Sequence, residues 1–285
     1  MKLSLFASCW AFGGLSACVR EVESGLFDGV EGPLPETPAQ ARELSRAGMP
    51  YIAEICSGGS YAPASSVGFD SHFLDFRSQV TRALEAGALF CSCLVGSDSW
   101  PLPVAIDFYG RALEFGKQAG MELCFETHRS RPTFHPWVTA ELLRALPALR
   151  LTCDFSHWCV VCERLPDDES VLELAIDRAR HVHARVGYAQ GPQVPDPRAP
   201  EYEPELLAHE GWWRRIALLA AERGQHSLTV TPEFGPDGYL QQMPFSQRPV
   251  ADLNELNRWM ALRQRTKLGQ LLASWNSFGK TDDAG

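Results

Sequence analysis

The sequence predicts an α/β fold, a (β/α)₈ TIM barrel in a single domain. Eight short apolar runs have the composition of buried strands, and each is followed by a stretch with helical periodicity. The predicted strands cover residues 2–9, 27–31, 51–56, 89–96, 121–128, 149–155, 181–187 and 227–234. The predicted helices cover residues 15–23, 37–48, 71–87, 104–120, 134–147, 171–180, 205–224 and 251–265. Regular alternation of eight strands and eight helices favours a closed parallel barrel.

The composition is that of a globular chain, with 45% hydrophobic and 21% charged residues among 285. We take residues 1–285 as one domain with a C-terminal helical tail from about residue 251. The net charge of −9 argues against a nucleic-acid partner, because such binding needs a basic surface. The sequence contains neither an apolar run long enough for a membrane span nor a glycine-rich phosphate loop, so we expect no membrane association and no nucleotide cofactor. The sequence is compatible with a homo-oligomer.

The nine cysteines lie mostly in apolar runs, which favours small buried side chains in a reducing, cytoplasmic setting. Cys159 and Cys162 form one isolated CxxC, a weak zinc or redox signal. The first eighteen residues permit two interpretations, because their basic start and small residues up to Cys18 also fit a lipoprotein signal peptide. Removing them would leave seven strands, so we predict that residues 3–9 form the first strand and 15–24 the first helix.

Ionisable residues end the last four predicted strands. They are Glu126 and His128 in strand 5, Asp154 in strand 6 with His157 just beyond it, His183 and Arg185 in strand 7, and Glu233 in strand 8. The C-terminal ends of barrel strands meet around the mouth, where TIM-barrel active sites lie. Buried carboxylates this close repel one another, and a divalent cation removes that cost. The pattern therefore predicts a metal site of three carboxylates and one imidazole.

A mainly oxygen donor set favours Mn²⁺, with Mg²⁺, Co²⁺, Fe²⁺ or Zn²⁺ as alternatives. Four protein ligands leave about two octahedral positions for substrate oxygens, such as adjacent hydroxyl and carbonyl groups. The metal would polarise the carbonyl and hold the charge of an enediolate while a carboxylate moves the proton.

The segment HVHARVG, residues 181–187, places His181, His183 and Arg185 on one face of a strand. Arg185 is a candidate clamp for a substrate carboxylate or phosphate. His181 lies deeper and is a candidate hydrogen-bond partner. The alternative for both His181 and His128 is a buried structural histidine whose hydrogen bonds are satisfied within the core.

Further candidates for the pocket are two carboxylates and three aromatic residues. Glu31 ends strand 2, and Glu54 in strand 3 points either to the pocket or to a helix. Trp10, Trp100 and Trp158 each follow a strand, where they form either an aromatic wall against a sugar ring or ordinary packing.

Five segments together resemble the xylose-isomerase-like TIM barrels, which include sugar (phosphate) isomerases and epimerases, inosose dehydratases and type IV apurinic endonucleases. They are FDGVE at strand 2, CFETH at strand 5, CDFSHW at strand 6, HVHARVG at strand 7 and TPEFGP at strand 8. The resemblance spans the whole chain and depends on the order and spacing of the segments.

The resemblance implies that Glu126, Asp154, His183 and Glu233 bind the metal, and that His157 contacts the substrate. It also implies that Glu126 and Glu233 exchange the substrate proton on opposite faces. This sequence departs from the epimerases at two of their substrate-binding positions: Pro132 stands in place of a glutamate, and Ala189 stands in place of an arginine. The resemblance therefore does not extend to recognition of a free ketohexose.

Four functions remain open at this point. The first is a metal-dependent isomerase or epimerase of a sugar, sugar phosphate or polyol derivative, acting through an enediolate. The second is a dehydratase or lyase that uses the same site on a keto-sugar or inosose. The third, a nuclease, is disfavoured because the additional metal-binding histidines of the endonucleases are absent. The fourth is a barrel that binds sugars without turning them over.

Overall fold

The computed structural model describes residues 1–236 and 238–278, without the side chains of residues 45–47, 277 and 278. Eight parallel strands form one closed barrel in sequence order, and the last strand pairs with the first. The strands are β1 (Lys2–Ser8), β2 (Gly29–Pro33), β3 (Tyr51–Cys56), β4 (Cys91–Leu94), β5 (Leu123–Glu126), β6 (Arg150–Cys153), β7 (Ala179–His183) and β8 (Ser227–Thr231). The predicted fold class is confirmed.

Helices surround the barrel. They are α1 (Cys9–Phe12), α2 (Leu15–Glu23), α3 (Pro38–Ala47), α4 (Phe69–Glu85), α5 (Leu102–Ala119), α6 (Pro136–Ala145), α7 (Phe155–Cys162), α8 (Glu169–Asp177), α9 (Glu203–Glu222) and α10 (Leu253–Phe278), with a short 3₁₀ helix at Pro200–Tyr202. No helix in these described ranges is long and apolar enough to cross a membrane.

Each predicted strand overlaps an observed one, and the N-terminal strand prediction is confirmed by the pairing of β1 with β2 and β8. Two short helices, α1 and α7, were not predicted, and they take Cys9 and Phe155 out of the strands assigned to them. Side chains cap both helices: Ser8 Oγ accepts from the backbone N–H of Ala11 at 3.4 Å, and Asp154 Oδ1 accepts from that of Ser156 at 3.1 Å. Helices of one or two turns carry too little periodicity to be seen in sequence.

Strand β7 is displaced toward the N-terminus relative to its prediction. It runs from Ala179 to His183, so Arg185 lies beyond the strand. The proline-rich segment 191–204 follows β7 at the barrel mouth, and its last residues are helical because the 3₁₀ helix and α9 begin within it. Within this loop the buried Gln193 accepts a hydrogen bond from the backbone N–H of Gly235 at 2.7 Å. The loop is thereby fixed to the segment after β8.

The barrel interior is filled in layers by alternate residues of the strands. A small cluster of fully buried side chains, separate from the main core, fills its lower part: Phe6, Ile52, Phe90 and Cys124. The alternate residues of the same strands, such as Ala53 and Ile55 in β3, point outward and belong to the main core under the helices. Since Glu54 lies two residues after Ile52, it faces the interior and not a helix.

Helix α10 packs against α9, α1 and β1 and so completes the helical layer. Its position is fixed by Glu210 of α9, whose buried carboxylate pairs with Arg263 at 2.6 Å and with Lys267 at 2.5 Å. The predicted C-terminal tail from about residue 251 thus corresponds to α10 as far as Phe278, and residues 279–285 of that prediction lie outside the described residues.

Candidate metal centre and active site

The four predicted metal ligands come together at the mouth. Glu126 ends β5, Asp154 caps α7 just after β6, His183 ends β7, and Glu233 follows β8 by two residues. One donor atom from each of the four lies within 4.8 Å of the others, and all four residues are buried. This is the spacing that donor atoms around a single cation require.

Hydrogen bonding fixes the orientation of the His183 ring. Its Nε2 lies 3.0 Å from Oε1 of Glu31, an acceptor, so Nε2 carries the proton. Nδ1 faces Glu233 Oε2, at 2.9 Å, and Glu126 Oε1, at 3.5 Å. Among the described residues, Nδ1 is buried without a hydrogen-bond partner. A histidine whose Nε2 is held by a carboxylate, and whose Nδ1 faces a cluster of carboxylates, is placed to bind a metal through Nδ1 once a cation displaces the Nδ1 proton.

Glu31 lies beneath the four candidate ligands. Its second oxygen, Oε2, lies 3.0 Å from Nε2 of His181 and also accepts a hydrogen bond from Thr231. His181 in turn contacts the backbone oxygen of Thr229 through Nδ1 at 3.0 Å. His181 therefore supports Glu31, and Glu31 supports His183.

The charges of the cluster call for a cation. Burial raises the pKa of Glu126 to about 7, and the nearby carboxylates of Glu233 and Asp154 act in the same direction. His183 acts in the opposite direction but does not outweigh them. Burial also raises the pKa of Asp154. The carboxylates of Glu233, Glu31 and Glu126 raise the pKa of His183 well above its ordinary value, although burial alone would lower that pKa. These residues fit a divalent metal, because a cation would relieve the repulsion that disfavours their ionised forms.

Arg185 contacts the candidate ligands themselves, which the sequence did not predict. Its buried guanidinium pairs with Asp154 and lies 3.6 Å from Glu233 Oε2. It also donates to Ser156 Oγ at 3.2 Å and lies 2.9 Å from His157 Nε2. Arg185 therefore neutralises part of the carboxylate charge and fixes Asp154. Its role as a substrate clamp stays a prediction.

His157 and His128 lie side by side, with ring centroids 4.1 Å apart. Burial, with Arg185 among the nearby charges, lowers the pKa of both rings well below the ordinary value. Both are therefore neutral near pH 7 and able to accept as well as donate a hydrogen bond. His157 is fully buried, whereas His128 reaches the cavity described next.

A cavity of about 270 Å³ opens over the cluster. Five of the predicted site residues line it: Trp10, Glu126, His128, Arg185 and Glu233. The Trp10 ring packs so closely on Gly235 that a Cβ there would lie 1.7 Å from a ring carbon. The other predicted site residues, Asp154, His157, His183 and Glu31, lie below the cavity or to its side. Substrate contact by Glu31 and His157 stays a prediction.

Sequence reasoning missed part of the cavity wall. Tyr61 follows β3, Leu94 ends β4 and Tyr239 follows β8, and all three line the cavity. Their place just after barrel strands was the available signal, but loop paths decide which such residues face inward. Tyr239 also lies beneath two cations, with Arg185 4.7 Å and Arg129 4.9 Å from its ring centroid.

The two open alternatives for pocket residues are settled by packing. Trp100 stacks against Phe69 at 5.8 Å and Trp158 is fully buried with its Nε1 donating to Thr133 O, so neither belongs to the cavity wall. Glu54 does line the cavity. Burial, with Glu233, Glu31 and Glu126 nearby, raises the pKa of Glu54 to about 8.

Comparison with known proteins rests on structure alone. No protein-family model matches the sequence, and no curated protein matches it. Solved structures match over nearly the whole chain. A D-psicose 3-epimerase crystallised in the presence of D-fructose is 12% identical over 94% of this chain and 100% of that one, with a TM-score of 0.62. The probable 3-DHS dehydratase AsbF from Bacillus anthracis is 14% identical over 93% and 99%, with a TM-score of 0.59.

A xylose isomerase-like TIM barrel protein from Mycobacterium smegmatis in complex with magnesium is 13% identical over 93% of this chain and 97% of that one, with a TM-score of 0.59. These similarities show the fold. The fold is the TIM barrel that these structures share, and the similar structures include both sugar epimerases and a dehydratase.

Proposed function

We propose that the protein is a divalent-metal-dependent isomerase or epimerase of a sugar, sugar phosphate or polyol derivative. The reaction would proceed by proton abstraction beside a carbonyl and an enediolate intermediate. The observation that carries the proposal is the grouping of donor atoms from Glu126, Asp154, His183 and Glu233 within 4.8 Å of one another, directly beneath a cavity.

Glu126, Asp154, His183 and Glu233 would hold the metal, with Mn²⁺ our first choice. When bound, the metal would polarise the substrate carbonyl and stabilise negative charge on the neighbouring oxygen. Glu31 keeps His183 in the tautomer that leaves Nδ1 open. Arg185 keeps Asp154 oriented and balances the charge of the three carboxylates.

Glu126 and Glu233 are the proposed proton-transfer residues. They belong to β5 and the segment after β8, and both line the cavity from different sides. A substrate between them would present opposite faces of one carbon to the two carboxylates. One carboxylate would take the proton and the other would return a proton, which inverts the carbon.

The cavity wall fits a small polyhydroxylated substrate. Trp10 and Tyr239 offer apolar ring surfaces, while His128 and Arg185 offer polar groups for hydroxyl oxygens. A few convergent polar groups among aromatic walls are typical of small-molecule sites. We propose His128 and Arg185 as substrate contacts, with Trp10 covering the sugar.

The test is solvent exchange. Metal-free protein would be loaded with Mn²⁺ and incubated in D₂O with keto and aldo sugars, their phosphates and inososes, and NMR would follow deuterium at carbon. Exchange that requires Mn²⁺ supports the proposal. Exchange accompanied by loss of water would instead identify the dehydratase alternative.

A matched pair of variants links the exchange to the site. Glu126→Gln should abolish it, whereas Glu122→Gln, at the opposite end of β5 and half-exposed, should leave it unchanged. If no sugar exchanges with the Mn²⁺-loaded protein, the isomerase proposal fails. Cleavage of abasic DNA in the same preparation would point to the nuclease alternative.

A further inference from the structure

Glu54 occupies a position that the proposed reaction does not use. It lies in β3, faces the barrel interior and is only 7% exposed, yet it lines the cavity. Its Oε2 atom is buried and has no hydrogen-bond partner among the described residues. A buried carboxyl oxygen without a partner is costly unless a ligand supplies the missing hydrogen bond.

Tyr61, from the loop after β3, lines the same cavity as Glu54, with its hydroxyl near enough to interact with the Glu54 carboxyl. The loop itself is anchored: Arg131 donates to the backbone oxygen of Ser60 at 2.5 Å, and Ser130 Oγ donates to that of Tyr61 at 2.8 Å. Arg131 also donates to Ser57 O and Gly96 O, so its charge is committed to the backbone. Glu54 is therefore fixed in place without a cation paired to it.

The cavity has two chemically different ends. In a closed barrel of eight strands, β3 and β7 are four strands apart in either direction and lie across the barrel from each other. Arg185 follows β7 and brings a positive charge, whereas Glu54 lies on β3 with Leu94 beside it on the cavity wall. A substrate that spans the cavity meets a guanidinium at one end and an acidic group at the other.

We propose that Glu54, positioned by Tyr61, is a specificity-determining substrate contact that binds a hydroxyl group at an uncharged end of the substrate. A hydroxyl can donate to the free Oε2. Above about pH 8, where Glu54 is ionised, a carboxylate or phosphate there would instead face a like-charged wall formed with Glu126 and Glu233. This contact would restrict the substrates to molecules with at most one anionic end. That end would lie toward Arg185. This inference rests on the proposed function insofar as the cavity is the substrate site.

Two acyclic six-carbon probes test the idea: D-sorbitol, with a hydroxyl at both ends, and D-glucarate, with a carboxylate at both ends. Calorimetry would measure their binding to the Mn²⁺-loaded wild type, Glu54→Gln, Glu54→Leu and Tyr61→Phe. Glu54→Leu should weaken D-sorbitol binding about tenfold, because it removes the hydrogen-bonding group. Tyr61→Phe should have a smaller effect in the same direction.

At a pH above about 8, where Glu54 is ionised, Glu54→Gln and Glu54→Leu should both strengthen D-glucarate binding by about tenfold, since the like charge is gone. Opposite effects on the two probes distinguish a specificity role from a structural one, which would weaken both. Thermal melting and Mn²⁺ titration of each variant would show that the fold and the metal site are retained. Glu85→Gln on the exposed end of α4 is the matched control and should change neither probe.

The inference is overturned if the wild type does not bind D-sorbitol, or if the Glu54 variants bind both probes as the wild type does. Failure of the proposed function is seen separately. It would show as absence of Mn²⁺ binding or of solvent exchange by the wild type, even where the two probes respond to Glu54 as expected.

Discussion

Glu31 and His183 are joined by a 3.0 Å contact between Oε1 and Nε2, although 152 residues separate them in sequence. Because this contact occupies Nε2, the other ring nitrogen is the one directed toward the carboxylates of Glu126 and Glu233. The metal-binding potential of the cluster thus depends on a residue that does not belong to it.

Replacing Glu31 should therefore weaken metal binding without removing a ligand. We expect Glu31→Gln to lower Mn²⁺ affinity about tenfold or more, since carboxylate partners of metal-bound histidines have effects of this size. Electron paramagnetic resonance of free Mn²⁺ during titration would measure it. Glu36→Gln, an exposed glutamate after β2, is the control, and equal affinities for the two variants would contradict the assigned role of Glu31.

Metal removal should destabilise the protein. Chelation leaves the buried carboxylates of the cluster without their cation, and saturating Mn²⁺ should raise Tm by about 5 °C through preferential binding to the folded state. Differential scanning calorimetry with and without chelator measures the shift. Asp154→Ala should abolish it. A Tm independent of Mn²⁺ in the wild type would count against a metal site in this cluster.

Arg185→Leu should be strongly destabilising in the metal-free protein. It leaves Asp154 and Glu233 buried without their cation, which costs about 3–5 kcal/mol in comparable buried pairs. Arg198→Leu, which breaks partly exposed pairs with Asp196 and Glu255, should cost less than about 1 kcal/mol for each pair. Urea unfolding of the two variants makes the comparison, and similar losses would show that Arg185 is not the main counter-charge.

The pairing of Glu210 with α10 predicts acid sensitivity. Burial opposes ionisation, but hydrogen bonds from Arg263 and Lys267 outweigh it and lower the pKa of Glu210 below its ordinary value of 4.5. A lowered pKa in the folded state contributes stability that is present above the ordinary value and is lost as the pH falls through the folded value.

We therefore expect the wild type to lose more stability between about pH 5 and about pH 3 than Glu210→Gln does. Urea unfolding at several pH values measures the difference. If the stabilities of the two proteins fall in parallel over this interval, the ion pairs do not contribute in the way described.

The barrel and the positions of its four candidate ligands follow from local sequence. Alternation within strands places Glu126 and His183 on the inner side, and the strand–helix count places them at the mouth. The pairing of Arg185 with Asp154 did not follow, because it depends on where β7 ends and on the start of α7. Both are set by tertiary contacts, such as the cap that Asp154 provides, which periodicity does not reveal.

Glu54 and Tyr61 illustrate the same limit. Because alternate residues of a strand face the same side, Glu54 in β3 faces inward if Ile52 does. The sequence does not show which side of β3 faces inward, because a strand buried on both faces has no alternation of apolar and polar residues. Tyr61 is positioned by backbone contacts with Ser130 and Arg131 from the loop after β5, which are distant in sequence.

Closure of β8 onto β1 has a consequence for how the molecule matures. Glu31 from β2 meets His183 from β7 and Thr231 from β8 only after the ring is complete. A nascent chain that lacks the last strand would have neither the support for the imidazole nor Glu233. Tight capture of a divalent ion would thus mark the final step of chain assembly and could serve as a reporter of it during synthesis.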